Sequence, residues 1–305
     1  MARYVRVSTI SFGGVDESPE RKVEANLGEA LRLLRRSTLD KPDIVCLPEA
    51  FATSGFDAKQ RFQTAQSVEG PITQAVGELA RRFSMYIICP MIERKDVKVY
   101  NSVVLIDRQG KPIGSYHKMY PTPGEIESGI TPGTDPTVFR TDFGRIGCAI
   151  CYGLNFRDVI QGLAANGAEI VFFPSMYRGG LQLSIWAFDF ELYIASAYTG
   201  EGSLIVNPLG RVLIQSSSNE PIITKTINLD CKVLHTDDID TKWQKIKGKY
   251  GPDVDIEVAT PEDSLLITSH IPDVSVDQIV KEFELETRRQ EFERAISMRK
   301  RALQG

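Results

Sequence analysis

Gly144-Arg145-Ile146-Gly147-Cys148-Ala149-Ile150-Cys151-Tyr152-Gly153-Leu154-Asn155-Phe156-Arg157-Asp158 joins an apolar run to an amphipathic one. Arg145 to Cys151 is a short, mostly apolar run of the kind that makes a buried strand. Beyond it Phe156, Val159, Ile160, Leu163 and Ala164 recur at helical spacing, and Glu169 to Phe173 reads as a further strand. Strand, helix and strand in succession place two parallel strands side by side and point to an α/β protein.

The same alternation extends towards the amino end. Val5, Val7 and Ile10 mark a strand, and Ser18-Pro19 offers an N-cap and first-turn proline. Val23, Leu27, Ala30, Leu31 and Leu34 follow on one helical face. Ile44 to Leu47 is a buried-strand run ended by Pro48, and Gly70-Pro71 opens a helix carrying Ile72, Ala75, Val76, Leu79 and Phe83. Met85 to Cys89 is another strand. Ser102 to Ile106, a turn over 108–112, and Ile113 to His117 read as a hairpin. Residues 121–136, rich in Pro, Gly and Thr, read as a long loop. Towards the carboxyl end, strands are expected at 192–197, 203–206, 211–215 and 222–229, and Ser275 caps a helix with Val276, Ile279, Val280 and Phe283. The expectation is a mixed sheet in one domain, 1–283, followed by a charged helical tail, 284–305.

Composition narrows the function. The 305 residues are 42% hydrophobic and 25% charged, with a net charge of −4, so no global basic field invites nucleic acid or anionic membrane. No stretch reaches the ~20 apolar residues of a membrane span, and the opening Met-Ala-Arg-Tyr-Val-Arg-Val reads as a strand rather than a signal peptide. Five cysteines, an odd number scattered through apolar segments, suit a reducing, cytoplasmic compartment. The three histidines, His117, His235 and His270, have no ligand spacing, which argues against a zinc site.

Three polar residues sit at strand ends, where α/β proteins place ligands. Glu49, directly after the 44–47 run and among Pro48, Ala50 and Phe51, would be poorly solvated, the setting of a general base. Lys118 closes the hairpin and could stabilise an oxyanion. Cys151 stands where strand gives way to helix, and free N–H groups at a helix start favour a thiolate. Taken singly, a loop acid, a surface lysine and a small buried thiol are the simpler explanations for these three. The pair Cys148-x-x-Cys151 also admits a redox dithiol, which would need Cys148 exposed.

Taken together with their flanks, these residues resemble the nitrilase-type carbon–nitrogen hydrolases. Leu47-Pro48-Glu49-Ala50-Phe51 is similar to the family's first block. Tyr100 to Asp107 with Gly110 and Tyr116-His117-Lys118 resembles the second. Gly147 to Tyr152, with Asn166 to Ile170 and Pro174-Ser175, resembles the third. The resemblance implies a four-layer α-β-β-α sandwich with mixed sheets, no cofactor, and a homodimer or larger homo-oligomer. It also implies a Glu49–Lys118–Cys151 catalytic set, with the backbone N–H of Tyr152 at the oxyanion. A second glutamate belongs in the loop after the lysine, shortly before a Pro-Gly, and Glu127 fits that pattern better than Glu125. Gly153 and Asn155 depart from the Asp and Arg of many members, and residues 186–193 lack an arginine often found there. Cys-Tyr-Gly is similar to enzymes that cut N-carbamoyl groups. The expected reaction is cleavage of a small linear amide or N-carbamoyl compound. Nitrile hydrolysis and a non-catalytic binding protein of the same fold are the alternatives.

Overall fold

The computed structural model describes residues 1–236 and 239–304, which form two compact units. The larger spans Val5–Thr226; the smaller joins Met1–Tyr4 to Ile227–Gly305.

Two six-stranded sheets build the larger unit. The first uses β1 (Tyr4–Ile10), β2 (Ile44–Cys46), β3 (Tyr86–Lys95), β4 (Lys98–Ile106) and β5 (Pro112–His117), completed by β12 below. The second uses β6 (Val138–Arg140), β7 (Arg145–Cys148), β8 (Ile170–Ser175), β9 (Tyr193–Tyr198), β10 (Leu204–Val206) and β11 (Val212–Gln215). With β12 (Ile222–Asn228) the orders are β12-β1-β2-β3-β4-β5 and β11-β10-β9-β8-β7-β6. Both sheets are mixed: β1, β2 and β3 run parallel, then β4 and β5 antiparallel. Likewise β7, β8 and β9 run parallel, then β10 and β11 antiparallel.

Helices clad the outer faces. The principal ones are α1 (Pro19–Ser37), α3 (Pro71–Phe83), α5 (Arg157–Ala165) and α6 (Leu181–Phe190), with the short α2 (Ala58–Gln63) and α4 (Pro123–Glu127) between. Leu33 and Leu34 of α1 and Val76 and Leu79 of α3 pack on Val45, Ile87, Val104 and Ile106 of the first sheet. Ile160 and Leu163 of α5 and Leu183 and Ala187 of α6 pack on Val171, Phe173 and Ile194 of the second. The alternate side chains, such as Ile44, Cys46, Ile88, Cys148, Ile170 and Phe172, are also fully buried, on the opposite faces of their strands. Cys46 lies close enough to Cys148 that each thiolate would oppose the other, and the Ser11 hydroxyl meets those of Ser203 and Ser216 at 2.6 and 2.9 Å. The sheets therefore pack on each other, and the layers run α-β-β-α as expected.

The two halves repeat one connectivity. β1-α1-β2-α3-β3-β4-β5 and β7-α5-β8-α6-β9-β10-β11 have the same order, strand directions and outer helices. No sequence period announces this, because insertions such as α2 make the halves unequal in length.

Two local details differ from the sequence reading. The strand at 145 ends at Cys148, and a 3-10 turn, Cys151–Asn155, precedes α5. Residues 121–136 are not all loop: α4 starts there, with Pro123 in its first turn and a capping box between Thr122 and Glu125.

The smaller unit holds an antiparallel sheet, β13 (Cys231–His235), β14 (Val254–Ala259) and β15 (Ser264–Ser269), in the order β13-β15-β14. Its core joins Leu234, Val254, Leu265 and Ile267 to Ile246 of α7 (Ile239–Tyr250) and to Val276 and Ile279 of α8 (Val276–Glu282). Ser275 caps α8, as the sequence indicates. The charged tail is one element of this unit, α9 (Arg288–Ala302). Among the described residues no helix is long and apolar enough to cross a membrane.

Candidate active site

Glu49 follows β2, Cys151 follows β7 and Lys118 follows β5, so all three leave their strands at carboxyl ends. Glu49 and Lys118 are 2% and 1% exposed. Lys118 Nζ donates to Glu49 Oε1 at 2.9 Å. Burying three ionised groups is costly unless each is paired and hydrogen-bonded, so the remaining partners decide whether the cluster is viable.

The third ionised group is Glu125. Lys118 Nζ lies 2.9 Å from Glu125 Oε2 and 3.2 Å from Oε1. Thr122 N donates to Glu125 Oε2 at 2.7 Å, the reciprocal arm of the capping box. Glu127 ends α4 with an exposed side chain. The structure thus brings Glu125 to Lys118, and not Glu127, which the sequence pattern favours. In a helix that starts at Pro123, Glu125 is the third residue, and its carboxylate turns back over the helix start beside Lys118. Thr122-Pro123-Gly124-Glu125 carries that signal in the sequence.

A further member is Asn101 of β4, which sequence reasoning left among the residues of the second block. Its Nδ2 donates to Glu49 Oε1 at 2.8 Å and to Glu125 Oε1 at 2.7 Å. The backbone carbonyl of Asn101 accepts from Lys118 N at 2.8 Å, a bond that continues the β4–β5 ladder. Glu49 Oε2 accepts the amide of Met176, just past β8, at 2.9 Å. The loop carrying Glu49 is held from behind by the buried Asn26 of α1, which donates to Ala52 O and Ser54 O.

Charge balance follows from these contacts. Burial alone would push the Glu125 carboxyl up, but Lys118, the Thr122 N–H and Asn101 outweigh it and hold it below the ordinary carboxylate value. Burial would likewise strip the Lys118 proton, yet Glu49 and Glu125 drive its pKa well upward, so it stays an ammonium.

Cys151 sits beside this cluster with φ +45°, a left-handed conformation costly for a side-chain-bearing residue. Ala50, next to Glu49, has the same φ. Both strained positions flank the site. Burial, followed by the negative charge of Glu49, pushes the Cys151 thiol up to about 11, while Lys118, the Ser175 hydroxyl and the Met176 amide pull it down. The sequence expectation that a helix start favours the thiolate is thus reversed in sum. A five-residue 3-10 turn supplies little dipole, and burial beside a carboxylate prevails. Cys148 is fully buried, and burial drives its thiol far up, which removes the exposed dithiol reading.

Aromatic rings gather in the segment that follows Cys151. Tyr152 meets Phe156 edge-on at 5.3 Å, and Phe156 stacks on Tyr120 at 3.8 Å. Tyr177 OH donates to Gln182, Gln182 donates to Asn155, and Asn155 donates to the Tyr152 carbonyl. Gly153 is buried, yet a Cβ added there meets nothing within 4 Å.

A four-layer α-β-β-α sandwich with a glutamate, a lysine and a cysteine at strand ends is the architecture of the nitrilase-type hydrolases. The chain belongs to the carbon–nitrogen hydrolase family, whose pattern it matches over residues 16–231, and it is an enzyme of that class. It is 29% identical to omega-amidase NIT2 of Bos taurus over 230 residues, 67% of this chain and 83% of the relative. With omega-amidase NIT3 of Saccharomyces cerevisiae it shares 25% over 256 residues, 73% and 87% of the two chains. The crystal structure of Saccharomyces cerevisiae Nit3 superposes with a TM-score of 0.66 at 21% identity, covering 82% of this chain and 96% of that one. An amidase from Nesterenkonia sp. gives 0.64 at 18%, covering 73% and 90%. At these identities the structural matches speak for the fold.

Proposed function

We propose that the chain hydrolyses the C–N bond of a small linear amide or N-carbamoyl compound through a thioester on Cys151. The observation that carries this reading is the buried Glu49–Lys118–Glu125 cluster beside a cysteine held at positive φ. The omega-amidases among the relatives favour the amide.

The resting thiol is neutral, so it needs a base at the moment of attack. Glu49 Oε1 already accepts from Lys118 and Asn101, whereas among the described residues Oε2 accepts only the Met176 amide. A carboxylate oxygen has two lone pairs. Oε2 therefore takes the thiol proton, and the sulfur attacks the carbonyl carbon. An ammonium has three hydrogens, and two carboxylates engage Lys118, which leaves one for the developing oxyanion. The Tyr152 N–H, at the start of a helical turn, is the second donor. Protonated Glu49 returns its proton to the leaving nitrogen, and ammonia or an amine departs. Water, deprotonated by Glu49, then opens the thioester and frees the thiol. Glu125 stays ionised and holds Lys118.

Ammonia release across amides, N-carbamoyl amines and nitriles tests the reading. Turnover of amides or N-carbamoyl compounds with nitriles inert is the expected pattern; turnover of nitriles alone would refute it. The same reading includes self-association. Phe292, Ile296 and Leu303 in or beside α9 are 54%, 55% and 70% exposed, and light scattering should give a particle larger than the 34.0 kDa chain.

A further inference from the structure

We infer that Asn101 is the positioning residue that lets two ionised glutamates share one lysine, by giving one amide hydrogen to each carboxylate. The inference rests on the reading of Glu49 as base and deepens it. Glu49, Glu125, Lys118 and Asn101 are 2%, 8%, 1% and 2% exposed, so water does not separate the two anions. With both glutamates ionised, one ammonium leaves the cluster one negative charge in excess. Coulomb repulsion between close, buried anions normally protonates one of them. The carboxamide of Asn101 opposes this without adding charge. Its Nδ2 has two hydrogens, and each points to the Oε1 of a different glutamate, at 2.8 and 2.7 Å.

The other half of the amide supports this assignment. Asn101 Oδ1 is buried and has no hydrogen-bond partner among the described residues. A buried acceptor left unpaired carries a desolvation cost. Turning the amide over would not relieve it, because Oδ1 would then face two carboxylates. The side chain is held in this orientation by its donors alone. Aspartate, which has the same shape, would put a third anion between the two glutamates. Lys118 is tied into the same frame, since its own N–H ends on the Asn101 carbonyl.

The geometry makes Asn101 act through Glu49, not on the substrate. The test compares Asn101→Ala and Asn101→Asp with the parent in two assays. One is ammonia release from butyramide and from glutaramic acid; the other is alkylation of Cys151 by iodoacetamide, which requires no turnover. For Asn101→Ala, kcat should fall about 10- to 100-fold with KM within about threefold, as for small misplacements of a catalytic group. Alkylation at pH 7.5 should depart from the parental rate in Asn101→Ala and in Asn101→Asp, because either change alters the charge that faces the sulfur. Asn101→Asp keeps the side-chain shape, so it answers even if the alanine variant fails to fold. An Asn101→Asp enzyme with parental kcat and parental alkylation would overturn the inference. So would an Asn101→Ala enzyme that folds and keeps both its kcat and its alkylation rate. Cys151→Ala serves as the control. If it retains turnover, the cysteine mechanism itself fails; if it is inactive while the Asn101 variants are normal, only the role of Asn101 fails. Should neither amide be turned over by the parent, the alkylation rates decide: parental rates in both variants would overturn the inference.

Discussion

The amide of Met176 donates to Glu49 Oε2 at 2.9 Å across 127 residues of sequence. Glu49 follows a strand of one sheet and Met176 follows a strand of the other, so this bond ties the two halves of the sandwich at the site. It also leaves Oε2 with a single donor, while Oε1 has two.

Glu49→Gln should separate thiol acidity from turnover. Burial and, after it, the negative charge of Glu49 raise the Cys151 pKa to about 11, and this substitution removes the charge. Alkylation of the variant by iodoacetamide should therefore begin at lower pH than in the parent. Hydrolysis should nevertheless fall by roughly 10²–10⁴-fold, the usual contribution of a general base. Retained hydrolysis, or an alkylation limb shifted to higher pH, would mean that Glu49 does not face the sulfur as described.

Glu125→Gln and Glu127→Gln should behave differently, although the residues are two apart. The first removes an ion pair and a helix cap from a buried cluster and should cost about 10²-fold in kcat. The second alters an exposed side chain and should leave kcat within about twofold. The pH dependence has a definite sign. A carboxyl held below its ordinary value of 4.5 adds stability above that pH and loses it as pH falls through the folded-state value. The gap in melting temperature between the parent and Glu125→Gln should be constant above pH 4.5 and narrow below it. A gap that widens on acidification would contradict the assignment.

Gly133 and Gly153 form a matched pair. A Cβ at Gly133 would meet the His117 carbonyl oxygen at 2.2 Å, and Gly133 N donates to the Lys118 carbonyl at 2.8 Å. Gly133→Ala should destabilise by roughly 1–3 kcal/mol and, by displacing the chain at His117 and Lys118, lower kcat. Gly153→Ala should leave stability within about 0.5 kcal/mol, since its new methyl enters open space. Its effect should instead appear as poorer turnover of the bulkier amides. Thermal melts and kinetics on both variants check the contrast.

Much of this was legible in the residues. Apolar runs at 44–47 and 145–151, with helical faces between them, carry the alternation that makes the two sheets, and polar residues at strand ends mark the site. The repeat of strand–helix order was not legible, because unequal insertions hide it. Asn101 escaped because its role depends on which strand lies beside β5, a property of register rather than of local pattern. Glu125 escaped because the segment was read as loop, although Thr122-Pro123-Gly124-Glu125 holds a capping signature. In the smaller unit α8 and the charged helix at its end are legible, but its strands are not: a long stretch with α7 parts β13 from β14, and the short turn from β14 to β15, Thr260 to Asp263, carries no Asn-Gly or Asp-Gly signal. The raised pKa of the Cys151 thiol is not legible in the sequence, because burial beside Glu49 is a tertiary effect that no local motif encodes.

The central claim is that Cys151 alone carries the acyl group. Ammonia release from a reactive amide by Cys151→Ala and Cys148→Ala, each verified as folded by its thermal melt, tests this most directly. The account predicts no detectable turnover from Cys151→Ala and a substantial part of the parental rate from Cys148→Ala, whose side chain lies buried in β7. Full activity in a folded Cys151→Ala enzyme, or equal loss in the two variants, would contradict it.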